Sequence, residues 1–182
     1  FLYGGFMLTS SGVKLIEYNV RFGDPEAINL VPLVNADWVE LLQALTSKQA
    51  NKLSNKSFAD FIQNIDIEHK ATVCQYIVPN GYPENSQQGE IKLDASLTGA
   101  DIAKYLFIGA VASEGDKWIM TGSRAIAVLG IGSSLDQAHK QASKIISKIS
   151  GDVFYRKDIG TEDLIATRVE LANQVRAKRV NS

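Results

Sequence analysis

The stretch LIEYNVRFGDPE, residues 15–26, reads as starting in a buried strand and ending in a turn that gathers Arg, Gly, Asp, Pro and Glu. Side chains at i and i+2 of a strand share one face, about 6.6 Å apart along it. Glu17, Asn19 and Arg21 therefore form one row if the strand stays regular to Arg21. Glu17 and Asn19 both carry hard oxygen donors, which suit Mg²⁺, an ion usually held by one or two protein groups plus substrate phosphates. A guanidinium further along the row can face phosphate oxygens. Gly23 lets backbone approach a ligand closely, and Asp24 or Glu26 can meet an ammonium group. A plainer reading stands beside this one. Asp24-Pro25-Glu26 is a good helix start, with Asp as cap, Pro in the first turn and an acid facing the helix dipole. Glu17 and Arg21 then make a surface ion pair. Spacing alone leaves both readings open.

Upstream, FLYGGFML and VKLIEYNV are β-rich runs joined by the turn TSSG, which predicts a hairpin. In the second run residues 13, 15, 17 and 19 are expected on one face. Downstream, ADWVELLQALTSK reads as a helix, ANKLSNKS (residues 50–57) as a polar boundary, and FADFIQNI as a short helix. The runs ATVCQYIVP, GEIKLD, KYLFIGAV, KWIMT and RAIAVLGIG then read as strands, with SEGDK as a hairpin loop. SLDQAHKQASKIISKI has Leu135, Ala138, Ala142, Ile145 and Ile149 on one helical stripe, with Lys140, Lys144 and Lys148 on the wet side. The tail TEDLIATRVELANQVRAKRV reads as an amphipathic helix ending in cations. Strands and helices in this order predict an α+β fold: 1–66 as the end of one domain and 67–182 as a β-rich domain with a helical tail.

Composition narrows the function classes. The 182 residues are 45% hydrophobic and 21% charged, with a net charge of −1. That balance gives no polyelectrolyte signal for nucleic acid. No run approaches the roughly 20 apolar residues that span a bilayer, so neither nucleic acid nor membrane is an expected partner. The single cysteine, Cys74, lies in an apolar run and reads as a small buried hydrophobe. His69 and His139 have no second His or Cys at ligand spacing, and His139 is expected on a solvated helix flank. Trp38 and Trp118 read as core or interface anchors. The chain opens on Phe1 in strand-like sequence, as the downstream part of something longer does.

Four segments in order resemble the glycinamide ribonucleotide synthetase (phosphoribosylamine–glycine ligase) family of ATP-grasp enzymes. They are FLYGGFMLTSSGVKLIEYNVRFGDPE, YIVPNGYPENSQQGEI, MTGSRAIAVLGIGSSLDQAHKQA and VFYRKDIG, spanning about residues 1–160. The resemblance implies the end of an ATP-grasp domain over 1–66 and the family's β-rich C-terminal domain after it. It implies ligation of glycine to 5-phosphoribosylamine at the expense of ATP through glycyl phosphate, in purine biosynthesis and in the cytoplasm. It also implies Mg²⁺ (or Mn²⁺) on Glu17 and Asn19, Arg21 as the catalytic cation, and Gly23, Asp24, Glu26 and Arg124 at the substrates. The family's Gly-Gly before the arginine is Gly122-Ser123 here, a departure that bears on Arg124. Arg156 and Asp158 read as pins for the last segment. An upstream part of the same enzyme is expected to supply the nucleotide lobe, so this chain is not expected to turn over alone. A non-catalytic assembly module on the same scaffold, or a sister ATP-grasp ligase using another carboxylate, are the competing expectations.

Overall fold

The computed structural model describes residues 2–46 and 63–180. The predicted polar boundary at 50–57, and residues 58–62 of the FADFIQNI helix, lie outside the described residues. Contacts group Phe1–Asn29 with Ala71–Ser182 as one compact unit and Leu30–Lys70 as another.

In the smaller unit a 3₁₀ turn, Val31–Leu33, leads into β3 (Val34–Asn35), α2 (Trp38–Thr46) and β4 (Asp66–Ile67). Strands β3 and β4 pair antiparallel, and Asn35 Nδ2 donates to Asp66 Oδ2 at 3.0 Å. Asp37 Oδ1 accepts from the amides of Val39 and Glu40 at 2.8 and 3.0 Å, satisfying donors that a helix start leaves free.

The larger unit begins with the predicted hairpin: β1 (Tyr3–Thr9) pairs antiparallel with β2 (Gly12–Asn19). Strand β2 is not the buried strand expected, since among the described residues it pairs on one edge only and leaves Leu15, Ile16 and Tyr18 exposed. Its register runs Gly5↔Glu17 and then Phe6↔Leu15, so Ile16 is an extra residue opposite no partner. This bulge breaks the expected alternation between Leu15 and Glu17, since an inserted residue changes the phase of a period-two pattern. The predicted row is also cut short. β2 stops at Asn19, paired with Tyr3, and the chain bends at Val20 and Arg21. Arg21 is therefore off the strand, and its Nη1 donates to the carbonyl of Phe22 at 2.7 Å. Helix α1 (Glu26–Leu30) follows a cis Asp24–Pro25 bond and starts with backbone bonds, Ala27 N to Gly23 O and Ile28 N to Pro25 O, both 2.9 Å.

Next come β5 (Ala71–Pro79), β6 (Gly89–Leu93), α3 (Gly99–Tyr105), β7 (Leu106–Ile108), β8 (Val111–Glu114), β9 (Lys117–Met120), β10 (Ile126–Gly132), α4 (Leu135–Ile146), β11 (Ile149–Gly151), β12 (Val153–Phe154) and α5 (Glu162–Val180). Two four-stranded sheets result, ordered β12-β5-β10-β7 and β11-β6-β9-β8. The mixed, antiparallel arrangement is the expected α+β class. SEGDK contributes the β8–β9 hairpin turn at Gly115-Asp116.

Helix α3 departs from the sequence reading, which placed Lys104 and Tyr105 in a strand. Thr98 Oγ1 accepts from Asp101 N at 3.1 Å while the Asp101 carboxylate accepts from Thr98 N at 3.1 Å, a reciprocal capping box that holds one short helix.

Strand β10 is the spine. Ile126 and Val128 face one side and join Ile77, Ile91, Met120, Ala142, Ile145 and Ile146 in the main core. On the other side Ala127 and Leu129 pack with Cys74, Tyr76 and Phe107, and Ile28 of α1 covers them. Helix α4 lies directly on β10: a Cβ at Gly130 would stand 1.8 Å from the Ala138 carbonyl oxygen. Ala138, Ala142 and Ile145 are buried as predicted, whereas Leu135 is exposed and Ile149 is buried from β11, beyond the helix end. Helix α5 is less amphipathic than expected, with Ile165, Val169 and Leu171 all exposed.

Candidate active site

The turn after β2 is built around three carboxylates. Tyr3 pairs with Asn19 through its backbone and donates its hydroxyl to Glu26 Oε1 at 3.1 Å. That hydrogen bond is the main reason the Tyr3 phenol is raised above its ordinary range, followed by the Glu26 charge; Glu17 adds a smaller effect. Glu17, Asn19, Tyr3 and Glu26 thus form one neighbourhood. Gly23 leaves room for that carboxylate, because a Cβ would stand 2.2 Å from Glu26 Oε2 and push it aside.

Asp24 takes a different role from the helix cap predicted for it. Its Oδ1 accepts a short hydrogen bond from the Tyr76 hydroxyl, and its Oδ2 lies 2.9 Å from Arg124 Nη2. The Arg124 guanidinium carbon sits 5.0 Å from the centroid of the Tyr76 ring, a cation–π arrangement. Asp24, Tyr76 and Arg124 therefore make a closed triad joining the turn to β5 and to the approach to β10. Burial, and then the Asp24 hydrogen bond, push the Tyr76 phenol well above its ordinary value. Ser123 is exposed, so the replacement of the expected glycine meets no packing obstacle there.

Beside the triad opens a cavity of about 230 Å³ whose walls include Cys74, Tyr76, Tyr82, Tyr155, Arg124 and Arg156. The Cys74 thiol is pushed up to about 12, first by burial and then by the charges of Asp24 and Glu26. A thiol held protonated in this way is a wall, as the sequence suggested, and not a nucleophile.

Arg156 and Asp158 bind each other, Nε to Oδ1 at 3.0 Å with a second, shorter contact, and so do not pin the last segment. Fully buried Gln75 does: its Nε2 donates to the carbonyls of Arg156 and Ile159 at 3.1 and 3.3 Å. His139 adds a bond from Nδ1–H to Ile159 O at 2.9 Å, so this histidine is structural and half-buried instead of solvated.

The donor set fits a hard divalent cation at the end of β2. Glu17 and Asn19 are neighbours at i and i+2, and among the described residues neither side chain has a hydrogen-bonding or ionic partner. No group of three or more His, Cys, Asp or Glu residues able to hold a metal occurs among the described residues. Two protein oxygens plus substrate oxygens are what an Mg²⁺ site of this type uses.

Two domains of one enzyme family match in sequence order. Residues 1–27 match phosphoribosylglycinamide synthetase, ATP-grasp (A) domain, and residues 72–162 match its C domain. The chain belongs to the phosphoribosylglycinamide synthetase family. A phosphoribosylamine–glycine ligase of Methanococcus maripaludis is 44% identical over 93% of this chain, and one of Methanocaldococcus jannaschii is 40% identical over 96%. This chain covers only 36% and 37% of those relatives. The crystal structure of a Thermotoga maritima phosphoribosylamine–glycine ligase shares the fold, with a TM-score of 0.58 and 24% identity, covering 86% of this chain and 36% of that one. The Asp24–Tyr76–Arg124 triad bridges the two family matches. No helix among the described residues is long and apolar enough to cross a membrane.

Sequence reasoning placed Glu17, Asn19, Gly23, Asp24 and Glu26 near one another; the structure joins Asp24 to Arg124 and Glu26 to Tyr3. It missed Tyr3 and Tyr76. Both lie in strands where an aromatic residue signals only packing, and both act through a terminal hydroxyl that pattern does not reveal.

Proposed function

We propose that the protein carrying this chain is a phosphoribosylamine–glycine ligase. ATP phosphorylates the glycine carboxylate, the amine of 5-phosphoribosylamine displaces phosphate from the glycyl phosphate, and glycinamide ribonucleotide, ADP and phosphate leave. The observation that carries this reading is the adjacency of Glu17 and Asn19, side chains without a partner among the described residues, to the Gly23-Asp24-Pro25-Glu26 turn, within a chain 44% identical to a ligase of that name.

In this reading residues 1–66 end the ATP-grasp domain and 67–182 form the C-terminal domain. Glu17 and Asn19 hold Mg²⁺ (or Mn²⁺), which neutralises phosphate charge during transfer. Arg21, freed from the strand by the bend, reaches the transferring phosphoryl group from a flexible side chain. Gly23 and Glu26 shape the glycine site. Asp24 and Arg124 set its outer wall, and Tyr76 fixes both. The adenine and ribose of ATP are held by an upstream lobe of the kind the longer relatives have room for, and the protein works in the cytoplasm.

The test is ADP release by the full-length protein with ATP, 5-phosphoribosylamine and glycine, compared with alanine or formate in place of glycine. Glycine-dependent release supports the assignment. Equal release with another carboxylate points to a sister ligase, and none with any carboxylate points to an assembly module.

A further inference from the structure

Residues directly opposite in an antiparallel pair share a face, so the β1–β2 register sorts the hairpin into two sides. Phe6, Leu15, Val13 and Tyr18 take one side, with the Phe6 and Tyr18 rings edge to face at 6.1 Å. Tyr3, Gly5, Glu17 and Asn19 take the other. The Tyr3 ring has a glycine along each of its edges. A Cβ at Gly5 would stand 3.8 Å from Tyr3 Cε1, and one at Gly23 would stand 3.3 Å from Tyr3 Cδ2. Against Gly5 also lies the stem of Glu17, its Cγ 3.3 Å from the same Cβ position, and against Gly23 lies the Glu26 carboxylate. The ring therefore stands between the metal edge and the turn, in a berth left by two missing side chains.

From that berth the Tyr3 hydroxyl donates to Glu26 Oε1 at 3.1 Å. A carboxylate offers about four lone-pair sites on its two oxygens, so one phenol leaves most of that capacity free. Glu26 Oε2 has no hydrogen-bond or ionic partner among the described residues, and it lies against Gly23. An untethered glutamate samples several rotamers, and fixing one oxygen removes that freedom before a ligand arrives. Asp24 does not compete for the task, since its two oxygens are engaged by Tyr76 and Arg124.

We infer that Tyr3 is a positioning residue for substrate selection, its hydroxyl holding Glu26 Oε1 so that Oε2 meets the ammonium group of glycine. The inference deepens the ligase reading and rests on it for the identity of the amine. Tyr3 acts through Glu26 and touches no reacting atom. Its link to the metal edge runs through the backbone, where Tyr3 pairs with Asn19, and that link survives loss of the hydroxyl. One oxygen atom thus separates the two tasks of this end of the hairpin.

Tyr3→Phe in the full-length protein removes that oxygen and keeps the ring between its two glycines. KM for glycine is expected to rise at least about fivefold, with kcat moving less, because hydrogen bonds to ionised acceptors are the strong ones. KM for ATP and the Mg²⁺ concentration for half-maximal rate are expected to stay within about twofold, since the metal edge keeps its backbone pairing. The double variant with Glu26→Gln completes a cycle. Once Glu26 is neutral, loss of the hydroxyl is expected to add less than about twofold to KM for glycine, as for two residues acting through one contact. Calorimetric titration of glycine, with a non-hydrolysable ATP analogue present, reads the same cycle where turnover of Glu26→Gln is too slow to follow. An unmoved KM for glycine in Tyr3→Phe overturns the inference. So does an equal rise for glycine, ATP and Mg²⁺, the mark of a strand end that has shifted as a whole. A full effect of Tyr3→Phe on top of Glu26→Gln overturns it too. Wild-type protein without glycine-dependent ADP release defeats the ligase reading instead, a result that the variant ratios do not mimic.

Discussion

Arg124 Nη2 lies 2.9 Å from Asp24 Oδ2, and through that contact the β10 approach holds the turn that follows β2. The pair is 42% and 48% exposed, so its weight in stability is small, about 0–1 kcal/mol. Its value is positional. Asp24→Asn is expected to lower Tm by no more than about 2–4 °C, while turnover by the full-length enzyme falls roughly 10–100-fold through misplacement of the turn. Thermal melts and steady-state rates on one preparation separate the two effects. Tyr76→Phe, which keeps the ring under Arg124 and removes the hydroxyl, is expected to behave like a milder copy.

Glu17 stands exposed at the end of β2, so Glu17→Gln leaves stability within about ±0.5 kcal/mol. Turnover in the full-length enzyme is expected to drop at least about tenfold, with a higher Mg²⁺ concentration needed for half-maximal rate. A mutant with the wild-type rate and Mg²⁺ dependence would falsify the assignment of Glu17 as a metal ligand.

Gly23→Ala puts a methyl group where Glu26 Oε2 now lies, 2.2 Å from the new Cβ. The far end of Glu26 swings away and the Tyr3 hydroxyl loses its acceptor. Because that hydrogen bond is what mainly raises the Tyr3 phenol, the variant is expected to ionise Tyr3 at a lower pH than the wild type does. Ultraviolet titration of the two proteins, with Tyr3→Phe to assign the signal, measures the shift.

Gly130→Ala drives a methyl group into the Ala138 carbonyl of α4, and neither backbone can give way without opening the core. A loss of about 1–3 kcal/mol or more is expected. Denaturant melts read it directly, and a variant as stable as the wild type contradicts the close contact of α4 on β10.

Alkaline pH is expected to weaken the fold through Cys74. Its folded-state value is raised from near 9 to about 12, so the folded chain keeps a proton that the unfolded chain gives up. The contribution is full below about pH 9 and is lost as pH rises from 9 toward 12. The raised Tyr76 phenol acts in the same direction at higher pH. Melts from pH 8 to 11 on wild type and Cys74→Ala show whether the slope shrinks in the variant. Iodoacetamide at pH 8 is likewise expected to leave Cys74 unmodified until denaturant is added.

Local pattern made the β1–β2 hairpin, the strands of the C-terminal sheets and the buried stripe of α4 legible, since periodicity and turn chemistry act within a few residues. It placed Arg21 one bend too far along β2, because the end of a strand depends on where its partner runs out. The bulge at Ile16 was hidden for the same reason. The Thr98–Asp101 capping box was present in the sequence, yet only one short helix follows it and the apolar run beyond argued for a strand. Asp24 looked like a cap because its partners, Tyr76 and Arg124, come from far along the chain. Gln75 and His139 were the least legible, since both bind carbonyl oxygens, which every residue possesses and no motif records.

That last property has an evolutionary consequence. Gln75 and His139 hold residues 156–159 by main-chain atoms, so the side chains at Arg156, Lys157 and Asp158 are not needed to keep the segment in place. The segment behaves as a cassette whose outward chemistry can be rewritten without unfolding the domain. Sequence drift there changes the surface that the domain presents before it costs the protein its shape.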